Sequence, residues 1–290
     1  RPALGKSAFA LNIGVNVAKK YQKTVAIFNL EMSREQLAMR LLAMESFVEL
    51  QKLATGKLSE EEWTKLCMAS ASLSQTDIRI DDNPSVTVAD INAKCRRLEN
   101  LGLVIIDYLQ LMNASGASFG SRQEEVSTIS RSLKGLAKEL DIPIIALSQL
   151  NRGVESREGI EGKRPQLSDL RESGAIEQDA DVVAFIHRPE YYGLTTDENN
   201  MSTAGMAEII IAKHRNGEVT DVPLRFVKEQ AKFMDADSSI TADVLNGGGY
   251  SESYDYAASS ANSLPPMGSA PADMGGFGGM SGVPSDFDLG

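Results

Sequence analysis

The stretch Leu103-Val104-Ile105-Ile106-Asp107 places four consecutive apolar residues directly before a carboxylate. A continuous apolar run, rather than an alternating one, is typical of a strand in a parallel sheet that is covered on both faces. In open α/β sheets, ligands bind at the edge where the carboxyl ends of the strands lie. The segment therefore predicts the core of an α/β domain and makes Asp107 a candidate site residue.

Further apolar runs along the chain resemble this strand, and helical patterns lie between several of them. The predicted strands occupy residues 24–30, 103–111, 142–150, 181–188 and 207–215. Within 124–140, apolar residues recur at spacings of three and four, which predicts a helix with one face on the sheet. Further helices are expected at 8–20, 33–44 and 59–70. This alternation predicts an α/β fold with a mostly parallel sheet flanked by helices, closed by a hairpin of residues 222–227 and 231–234.

The composition changes near residue 236, and the charge changes with it. Residues 236–290 are rich in Gly, Ser, Ala, Pro and Asp, so they cannot bury enough apolar surface to offset their chain entropy, and we predict a disordered tail. The chain has a net charge of −11, but the tail holds seven acidic and no basic residues, which leaves −4 for residues 1–235. This nearly neutral body does not exclude a nucleic-acid partner.

Several classes of protein are disfavoured by what the sequence lacks. No run approaches the roughly 20 apolar residues of a membrane span, so we expect no membrane partner. The cysteines Cys67 and Cys95 lie far apart, and two histidines are too few for a metal cluster. This cysteine usage is typical of a reducing compartment, and the expected location is the cytoplasm.

The triplet Gly5-Lys6-Ser7 matches the end of the phosphate-binding loop pattern G-x-x-x-x-G-K-[ST]. In that loop, backbone N–H groups point at phosphate oxygens, the lysine reaches the β- and γ-phosphates of ATP, and the hydroxyl binds Mg²⁺. A helix that begins at the loop adds the positive end of its dipole. Taken alone, the triplet is a weak signal, because a chance helix start gives the same letters.

Three polar strand ends downstream strengthen this interpretation. Asp107 matches the Walker B position, where a carboxylate holds Mg²⁺. Glu31 follows the strand at 24–30, where it can polarise an attacking water, and Ser148-Gln149 follow the strand at 142–150, where they can sense the γ-phosphate. Any one of them alone is equally a polar residue in a turn. Together with Gly5-Lys6-Ser7 they predict a P-loop ATPase that uses ATP and Mg²⁺.

Several segments resemble, in the same order, the signature blocks of DnaB-type replicative DNA helicases. The blocks read NLEMS at 29–33, IIDYLQLM at 105–112, ALSQLNR at 146–152, SDLRESGAIEQDAD at 168–181 and KHRNG at 213–217. The resemblance covers about residues 1–235 and leaves the tail uncovered. It implies a RecA-like motor domain in a hexameric ring that moves 5′→3′ on single-stranded DNA and unwinds duplex at the replication fork by hydrolysing ATP.

The resemblance also implies roles for residues around the nucleotide. Gly5, Lys6 and Ser7 correspond to the phosphate-binding loop, and Ser7 and Asp107 correspond to the residues that hold Mg²⁺. Glu31 corresponds to the catalytic glutamate. Gln149 corresponds to the residue that couples the state of the nucleotide to the DNA-binding loops.

Two further sets of residues take their roles from the resemblance. Lys213 and Arg215 match a basic pair that reaches a neighbouring subunit's γ-phosphate, as an arginine finger acting in trans. Without the family match, a solvated strand end is the simpler interpretation. Arg171, Glu172 and Gly174 match the pore loop whose side chains and backbone hold DNA phosphates, contacts that carry no sequence information and suit a motor that runs over any template. Lys163 and Arg164 either add positive charge beside this pore loop or belong to an ordinary charged loop.

The sequence departs from the family pattern in three places. The first glycine of the loop and the strand before it would precede Arg1, so we expect the natural protein to continue upstream. The family's N-terminal domain and linker helix do not match any part of the chain, so neither a primase contact nor a stable homo-hexamer is assigned to this chain itself. Other replisome proteins, such as a helicase loader, are expected partners of the full protein. The tail is unfamiliar, and it is either an inert solubilising segment or a peptide that docks on a replication partner.

Two alternatives to the helicase remain at this stage. A RecA/RadA-like recombinase, or a circadian-clock-type ATPase, shares the same loop and fold, although the block at 168–181 favours the helicase. A non-hydrolysing fragment that only binds DNA or neighbouring subunits is the alternative of a different class. Duplex unwinding, strand exchange and ATP turnover separate the three.

Overall fold

The computed structural model describes residues 4–114, 119–151, 153, 157, 162–196 and 200–236. For residues 171–173 it describes the backbone alone. The tail predicted over 236–290 lies outside the described residues except for Ala236, and the loop expected between Gly153 and Pro165 lies mostly outside them.

Four parallel strands form the first sheet, in the spatial order β2-β1-β3-β4. The strands are β1 (Thr24–Asn29), β2 (Ile78–Asp81), β3 (Leu101–Asp107) and β4 (Ile144–Ala146). All three pairings are parallel, with Ile27 opposite Ile105 and Ile105 opposite Ile145. The parallel sheet predicted from the apolar runs at 24–30, 103–111 and 142–150 is therefore confirmed, although the last two strands end earlier than predicted.

Six helices accompany this sheet among the described residues. They are α1 (Lys6–Lys20), α2 (Arg34–Ser46), α3 (Leu50–Thr55), α4 (Glu60–Ser74), α5 (Val88–Cys95) and α6 (Arg122–Leu140). The four predicted helices are confirmed as α1, α2, α4 and α6, while α3 and α5 were not predicted. The start of α5 carries a readable signal, because Thr87 and Asp90 form a reciprocal capping box.

The helices cover both faces of the first sheet, which explains its continuous apolar runs. On one face, Leu11 of α1 and Leu37 of α2 share a buried cluster with Ile27. On the other face, the predicted apolar stripe of α6 shares a buried cluster with Phe28 and Ile106. All six residues of β1 are buried. Each large apolar side chain buried in this way contributes about 1.5–3 kcal/mol, so the layered core provides much of the driving force for folding.

Strand β2 was not predicted because its sequence alternates. Ile78 and Ile80 pack into the core, whereas Arg79 between them is exposed. Alternation of this kind is typical of a strand with one solvated face, and β2 lies at the edge of the sheet.

The second sheet is antiparallel, in the order β5-β6-β7-β8. Its strands are β5 (Val182–His187), β6 (Met206–His214), β7 (Thr220–Val227) and β8 (Lys232–Asp235). The prediction that residues 181–188 and 207–215 belong to a parallel sheet is thus wrong, because β5 pairs with β6 in antiparallel register. A parallel connection needs a crossover, usually a helix, and the described part of the link between them holds only the 3-10 helix Pro189–Tyr192. The predicted hairpin is confirmed as β7 and β8.

Short helices complete the described chain. They are the 3-10 helices Leu109–Leu111 and Leu167–Ser173, followed by α7 (Gly174–Asp179). Helix α1 also packs on the second sheet, because Ala8 shares a buried cluster with Ala207, Phe226 and Phe233. The N-terminus of α1 is therefore held between the two sheets.

His187, at the end of β5, is fully buried although it is titratable. Its ring stacks on Tyr192 at a centroid distance of 5.9 Å, and neither ring nitrogen has a hydrogen-bond partner among the described residues. Burial, assisted by the positive charge of Arg164, lowers the pKa of His187 from 6.5 to about 4. The folded protein therefore keeps this imidazole neutral at pH 7.

This burial predicts an acid-labile fold. Because the pKa is lower in the folded state, the unfolded chain binds more protons as the pH falls, and stability that is intact above pH 6.5 is lost on approach to pH 4. The contribution of His187 to this loss is about 3 kcal/mol in the free energy of unfolding. Urea denaturation of the wild type and His187→Phe at several pH values measures it. Exposed His214→Gln serves as the control; equal pH dependence in all three proteins contradicts the prediction.

Candidate functional site

The polar residues predicted at the strand ends meet along the carboxyl-terminal side of the first sheet. Glu31 follows β1, Asp107 ends β3, and Ser148 and Gln149 follow β4. These strands are parallel neighbours in the order β1-β3-β4, so their carboxyl ends lie side by side. The N-terminus of α1 faces the same edge, since the Lys6 ammonium donates a hydrogen bond to the Ser148 carbonyl oxygen at 3.4 Å. The edge that the sequence predicted as a ligand site is thus assembled.

The N-terminus of α1 lacks the side-chain cap that other helices of the chain have. Ser33, Ser59 and Thr87 each cap their helices through reciprocal capping boxes. Gly5 caps α1 without a side-chain hydrogen bond, and the first turn of α1 contains no acidic residue. The first N–H groups of a helix need acceptors, and an anion placed there also benefits from the helix dipole. This end of α1 is suited to a phosphate group.

Gly5 occupies a position that excludes a side chain. Its φ of 102° lies in the left-handed region, which costs little only for glycine. A Cβ atom at Gly5 would lie 3.1 Å from the Phe233 ring, which itself packs on Phe226 at a centroid distance of 4.6 Å. The Phe226–Phe233 pair of the second sheet therefore packs against the backbone of the phosphate-binding loop at Gly5.

A cleft of about 370 Å³ adjoins this loop. It is lined by the predicted residues Gly5, Lys6, Ser7, Glu31 and Gln149. Arg40 on α2, Tyr108 after β3 and Lys228 after β7 also line it, and sequence reasoning missed all three. Arg40 and Lys228 sit in no recognisable motif, so only the folded arrangement reveals them. Tyr108 directly follows Asp107, and this adjacency was the available signal.

Burial and nearby carboxylates act in opposite directions on the pKa of the Lys6 ammonium at the cleft. Burial lowers the pKa of Lys6, while the carboxylates of Asp107 and Glu31 act in the opposite direction. The Lys6 ammonium also lies 5.2 Å from the centroid of the Tyr108 ring. A cation that is partly stripped of water interacts strongly with an added polyanion, which suits Lys6 to bind phosphate oxygens.

Asn29 was not among the predicted site residues, yet it joins two of them. Its side-chain oxygen accepts hydrogen bonds from the backbone N–H groups of Glu31 at 2.9 Å and Met32 at 2.6 Å. Its amide nitrogen donates to the Asp107 carboxylate at 3.3 Å. The backbone N–H of Leu30 also donates to the Asp107 carbonyl oxygen at 2.8 Å. This buried amide fixes the start of the Glu31 turn against the end of β3.

The residues expected to hold Mg²⁺ are chemically suitable for it. Asp107 is 3% exposed and carries a carboxylate beside the cleft without being among its lining residues, and Ser7 lines the cleft with a hydroxyl. Oxygen ligands of this kind, completed by phosphate oxygens and water, are what Mg²⁺ prefers. Within the described ranges, no group of three His, Cys, Asp or Glu side chains forms a separate protein-only metal site.

Lys213 and Arg215 lie at the end of β6 and not among the residues that line the cleft of their own chain. The Lys213 ammonium donates to the carbonyl oxygens of Glu177 and Gln178, and Arg215 Nη2 donates to that of Gln178 at 2.6 Å. These carbonyls end α7, where the helix dipole favours cations. The structure thus gives both basic side chains partners at the helix that follows the predicted DNA loop.

The predicted DNA-binding residues belong to one continuous turn of chain. Arg171 and Glu172 lie in the 3-10 helix Leu167–Ser173, and their side chains are outside the described part. Gly174 is exposed and begins α7. Buried Asp169 anchors this turn, because its carboxylate accepts the Gln166 N–H at 2.7 Å and pairs with Arg157. Arg164 pairs with Glu208 and Asp221, which places its charge in a structural network.

A parallel sheet between helices, with an uncapped glycine-bearing helix end facing an acidic strand tip, defines a P-loop NTPase of the RecA-like class. Comparisons with known proteins narrow this class. A family model described as the DnaB-like helicase C terminal domain matches residues 1–235. The chain belongs to this family.

The curated relatives agree with this assignment. The chain is 56% identical over 237 residues to the replicative DNA helicase DnaB of Geobacillus stearothermophilus, covering 81% of this chain and 50% of that protein. The replicative DNA helicase DnaC of Bacillus subtilis (strain 168) matches with the same identity and coverage. The chain spans about half the length of the curated relatives it matches.

A solved structure of a DnaB-like replicative helicase and its interactions with primase superposes with a TM-score of 0.73 at 40% identity. The superposition covers 81% of this chain and 55% of the chain in that structure. A second solved structure, of an ATPase domain, gives the same TM-score and identity, and the match covers 81% of this chain and 82% of that one. The RecA-like fold predicted from the sequence is thereby confirmed. Among the described residues, no helix combines the length and apolar character that crossing a membrane demands.

Proposed function

We propose that this chain is the motor of a ring-shaped replicative helicase that hydrolyses ATP to move 5′→3′ along single-stranded DNA and unwind duplex. The observation that carries the proposal is the convergence of Lys6, Glu31 and Gln149 on one cleft beside an uncapped helix end. Membership of the DnaB-like family supports the choice of DNA as the track. The hexameric ring is part of the same proposal, because Lys213 and Arg215 lie outside the cleft of their own chain.

The chemistry proposed for the cleft follows from the residues that line it. The backbone around Gly5, the Lys6 ammonium and the Ser7 hydroxyl bind the β- and γ-phosphates of ATP. Ser7 and Asp107 would hold Mg²⁺, which would neutralise charge on the phosphate oxygens. Glu31 orients a water molecule and accepts its proton as it attacks the γ-phosphorus. The bond from the γ-phosphorus to the bridging oxygen then breaks, and ADP leaves with phosphate.

The proposed contact with DNA rests on the turn that contains Arg171, Glu172 and Gly174. The Arg171 guanidinium and the backbone of the turn bind successive phosphates of a single strand, which gives affinity without sequence preference. Six subunits supply six such turns. Gln149 transmits the state of the γ-phosphate towards them. A replicative role also implies replisome partners such as a helicase loader, and the cytoplasm is the location expected for it.

Strand displacement on tailed duplexes tests the proposed function. The full natural protein is incubated with ATP, Mg²⁺ and one of three labelled DNA substrates. The first has a single-stranded 5′ tail on the loading strand, the second has a 3′ tail on that strand, and the third is a fork. We expect displacement when the loading strand offers a 5′ tail, and none with Lys6→Ala. Strand exchange between homologous DNAs without displacement would identify a recombinase instead, and retention of DNA without turnover would identify a non-catalytic binder.

A further inference from the structure

The side chain of Gln110 binds the segment that carries Gln149. Gln110 lies in the 3-10 helix Leu109–Leu111, three residues after Asp107. Its amide oxygen accepts a hydrogen bond from the Gln149 backbone N–H at 3.2 Å. Its amide nitrogen donates to the Ser148 hydroxyl oxygen at 2.8 Å and to the Gln149 carbonyl oxygen at 3.3 Å. One primary amide thus satisfies both backbone groups of Gln149.

These contacts begin where the backbone pairing between β3 and β4 ends. Strand β4 ends at Ala146, and the last backbone bonds on this side join Leu147 to Ile106 and to Leu109, both at 2.9 Å. Ser148 and Gln149 lie beyond them, so Gln110 continues the pairing with a side chain in place of a strand. The backbone of Gln149 is fixed in this way, while its exposed side chain lines the cleft.

Gln110 is held in turn from the start of α6. Arg122 Nη2 donates to the carbonyl oxygens of Gln110 at 2.6 Å and Met112 at 2.7 Å. Glu125, one turn further along α6, pairs with Arg122 and accepts the Ala114 N–H at 2.9 Å. The Gln110 backbone is therefore anchored to α6 and its amide group to Gln149. Hydrogen bonds to charged groups are stronger than those between neutral groups, so this anchor keeps the Gln110 turn and the start of α6 together.

We propose that Gln110 is a positioning residue for ATP turnover: it sets the place of Gln149 at the cleft and links that place mechanically to α6. The proposal rests on the proposed function, in which Gln149 responds to the γ-phosphate. When Gln149 shifts with the state of the nucleotide, Gln110 and the Arg122-bound turn shift with it. Gln110 touches no nucleotide itself, so its effect is exerted through Gln149.

A double-mutant cycle in the full natural protein tests this role. Steady-state ATP hydrolysis is measured with and without single-stranded DNA for the wild type, Gln110→Ala, Gln149→Ala and the double variant. Misplacement of one group at an active site lowers kcat on the order of 10- to 100-fold, and we expect this loss in DNA-stimulated kcat for Gln110→Ala. The KM for ATP should stay within about twofold, because the loop residues that bind phosphate are untouched. The double variant should be no slower than Gln149→Ala.

Two further variants make the outcomes decisive. Gln110→Glu keeps the size of the side chain but loses both donors, and it should resemble Gln110→Ala. Gln123→Ala changes an exposed glutamine on α6 and should match the wild type. Multiplicative losses in the double variant, or a raised KM with a lowered Tm, would overturn the proposal in favour of a general structural role. A wild type with no DNA-stimulated hydrolysis would instead refute the proposed function, whereas a stimulated wild type with an equally stimulated Gln110→Ala would refute the role of Gln110 alone.

Discussion

Replacing Glu31 with glutamine is expected to lower the turnover of ATP by about 10²- to 10⁴-fold while nucleotide binding persists. Glu31 is exposed, lines the cleft and follows β1 beside the Asp107 tip of β3. In the proposed mechanism, its carboxylate accepts a proton from the water that attacks the γ-phosphate. Glutamine preserves the size of the side chain and removes that basicity. The backbone of Glu31 keeps its bond to Asn29, so the cleft should retain its shape.

Two measurements on Glu31→Gln separate chemistry from binding. Single-turnover hydrolysis of ATP reports the chemical step, and titration with a fluorescent nucleotide reports the Kd. The matched control is Glu61→Gln, which changes an exposed glutamate in the first turn of α4. A Glu31→Gln protein that turns over ATP at the rate of this control would show that another group activates the water.

Replacing Arg215 with alanine should cost about 10³- to 10⁵-fold in the rate of hydrolysis, the range found for arginine fingers. Arg215 lies outside the cleft of its own chain, so in the proposed ring we expect an effect of this size to arise in the cleft of a neighbour. Its side chain is 47% exposed, and its contact with Asp181 at 3.5 Å is a surface ion pair. Such pairs contribute about 0–1 kcal/mol, so the folding of Arg215→Ala should be close to that of the wild type.

Mixed rings distinguish action in trans from a local defect. Lys6→Ala removes phosphate binding but leaves Arg215 intact, and Arg215→Ala does the reverse. If Arg215 serves the neighbouring cleft, mixing the two inactive proteins under conditions of subunit exchange should restore part of the activity. The control is Arg131→Ala, an exposed arginine on α6, which should remain active. No recovery in well-exchanged mixed rings would contradict action in trans, and full activity of Arg215→Ala would remove the residue from the mechanism.

In the proposed ring, contact with a neighbour's γ-phosphate requires Lys213 and Arg215 to give up hydrogen bonds within their own chain. Lys213 and Arg215 now bind the carbonyl oxygens that end α7. To reach a γ-phosphate, Lys213 and Arg215 would have to leave these carbonyl oxygens. They would then exchange partial negative charges for the full negative charge of a phosphate. Since α7 directly follows the turn that contains Arg171, this exchange would give nucleotide binding in the proposed ring a physical route to the turn proposed to bind DNA.

The sequence predicts the first sheet well because burial on both faces leaves an unambiguous signal. The runs at 24–30 and 103–111 contain most of β1 and β3, and the polar residues after them sit at one edge because neighbouring strands are parallel. Gly5, Lys6, Ser7, Glu31 and Gln149 could be found in this way, since local motifs and strand ends are properties of the chain itself.

The remaining features depend on tertiary contacts that leave no pattern in the sequence. The apolar runs of β5 and β6 read as parallel strands, yet Val182 is 48% exposed and the two strands pair in antiparallel register. Arg40 and Lys228 reach the cleft from elements distant in sequence. Asn29 and Gln110 act through hydrogen bonds to backbone groups, and such bonds are set by the geometry of the strand ends rather than by residue spacing.

The most direct test of the central claim is ATP hydrolysis by the full natural protein with and without single-stranded DNA, beside a Lys6→Ala variant. A motor that couples the cleft to DNA predicts hydrolysis that single-stranded DNA stimulates and that Lys6→Ala eliminates. Hydrolysis that persists in Lys6→Ala, or a folded wild type that binds single-stranded DNA and ATP but never turns ATP over, would contradict the account.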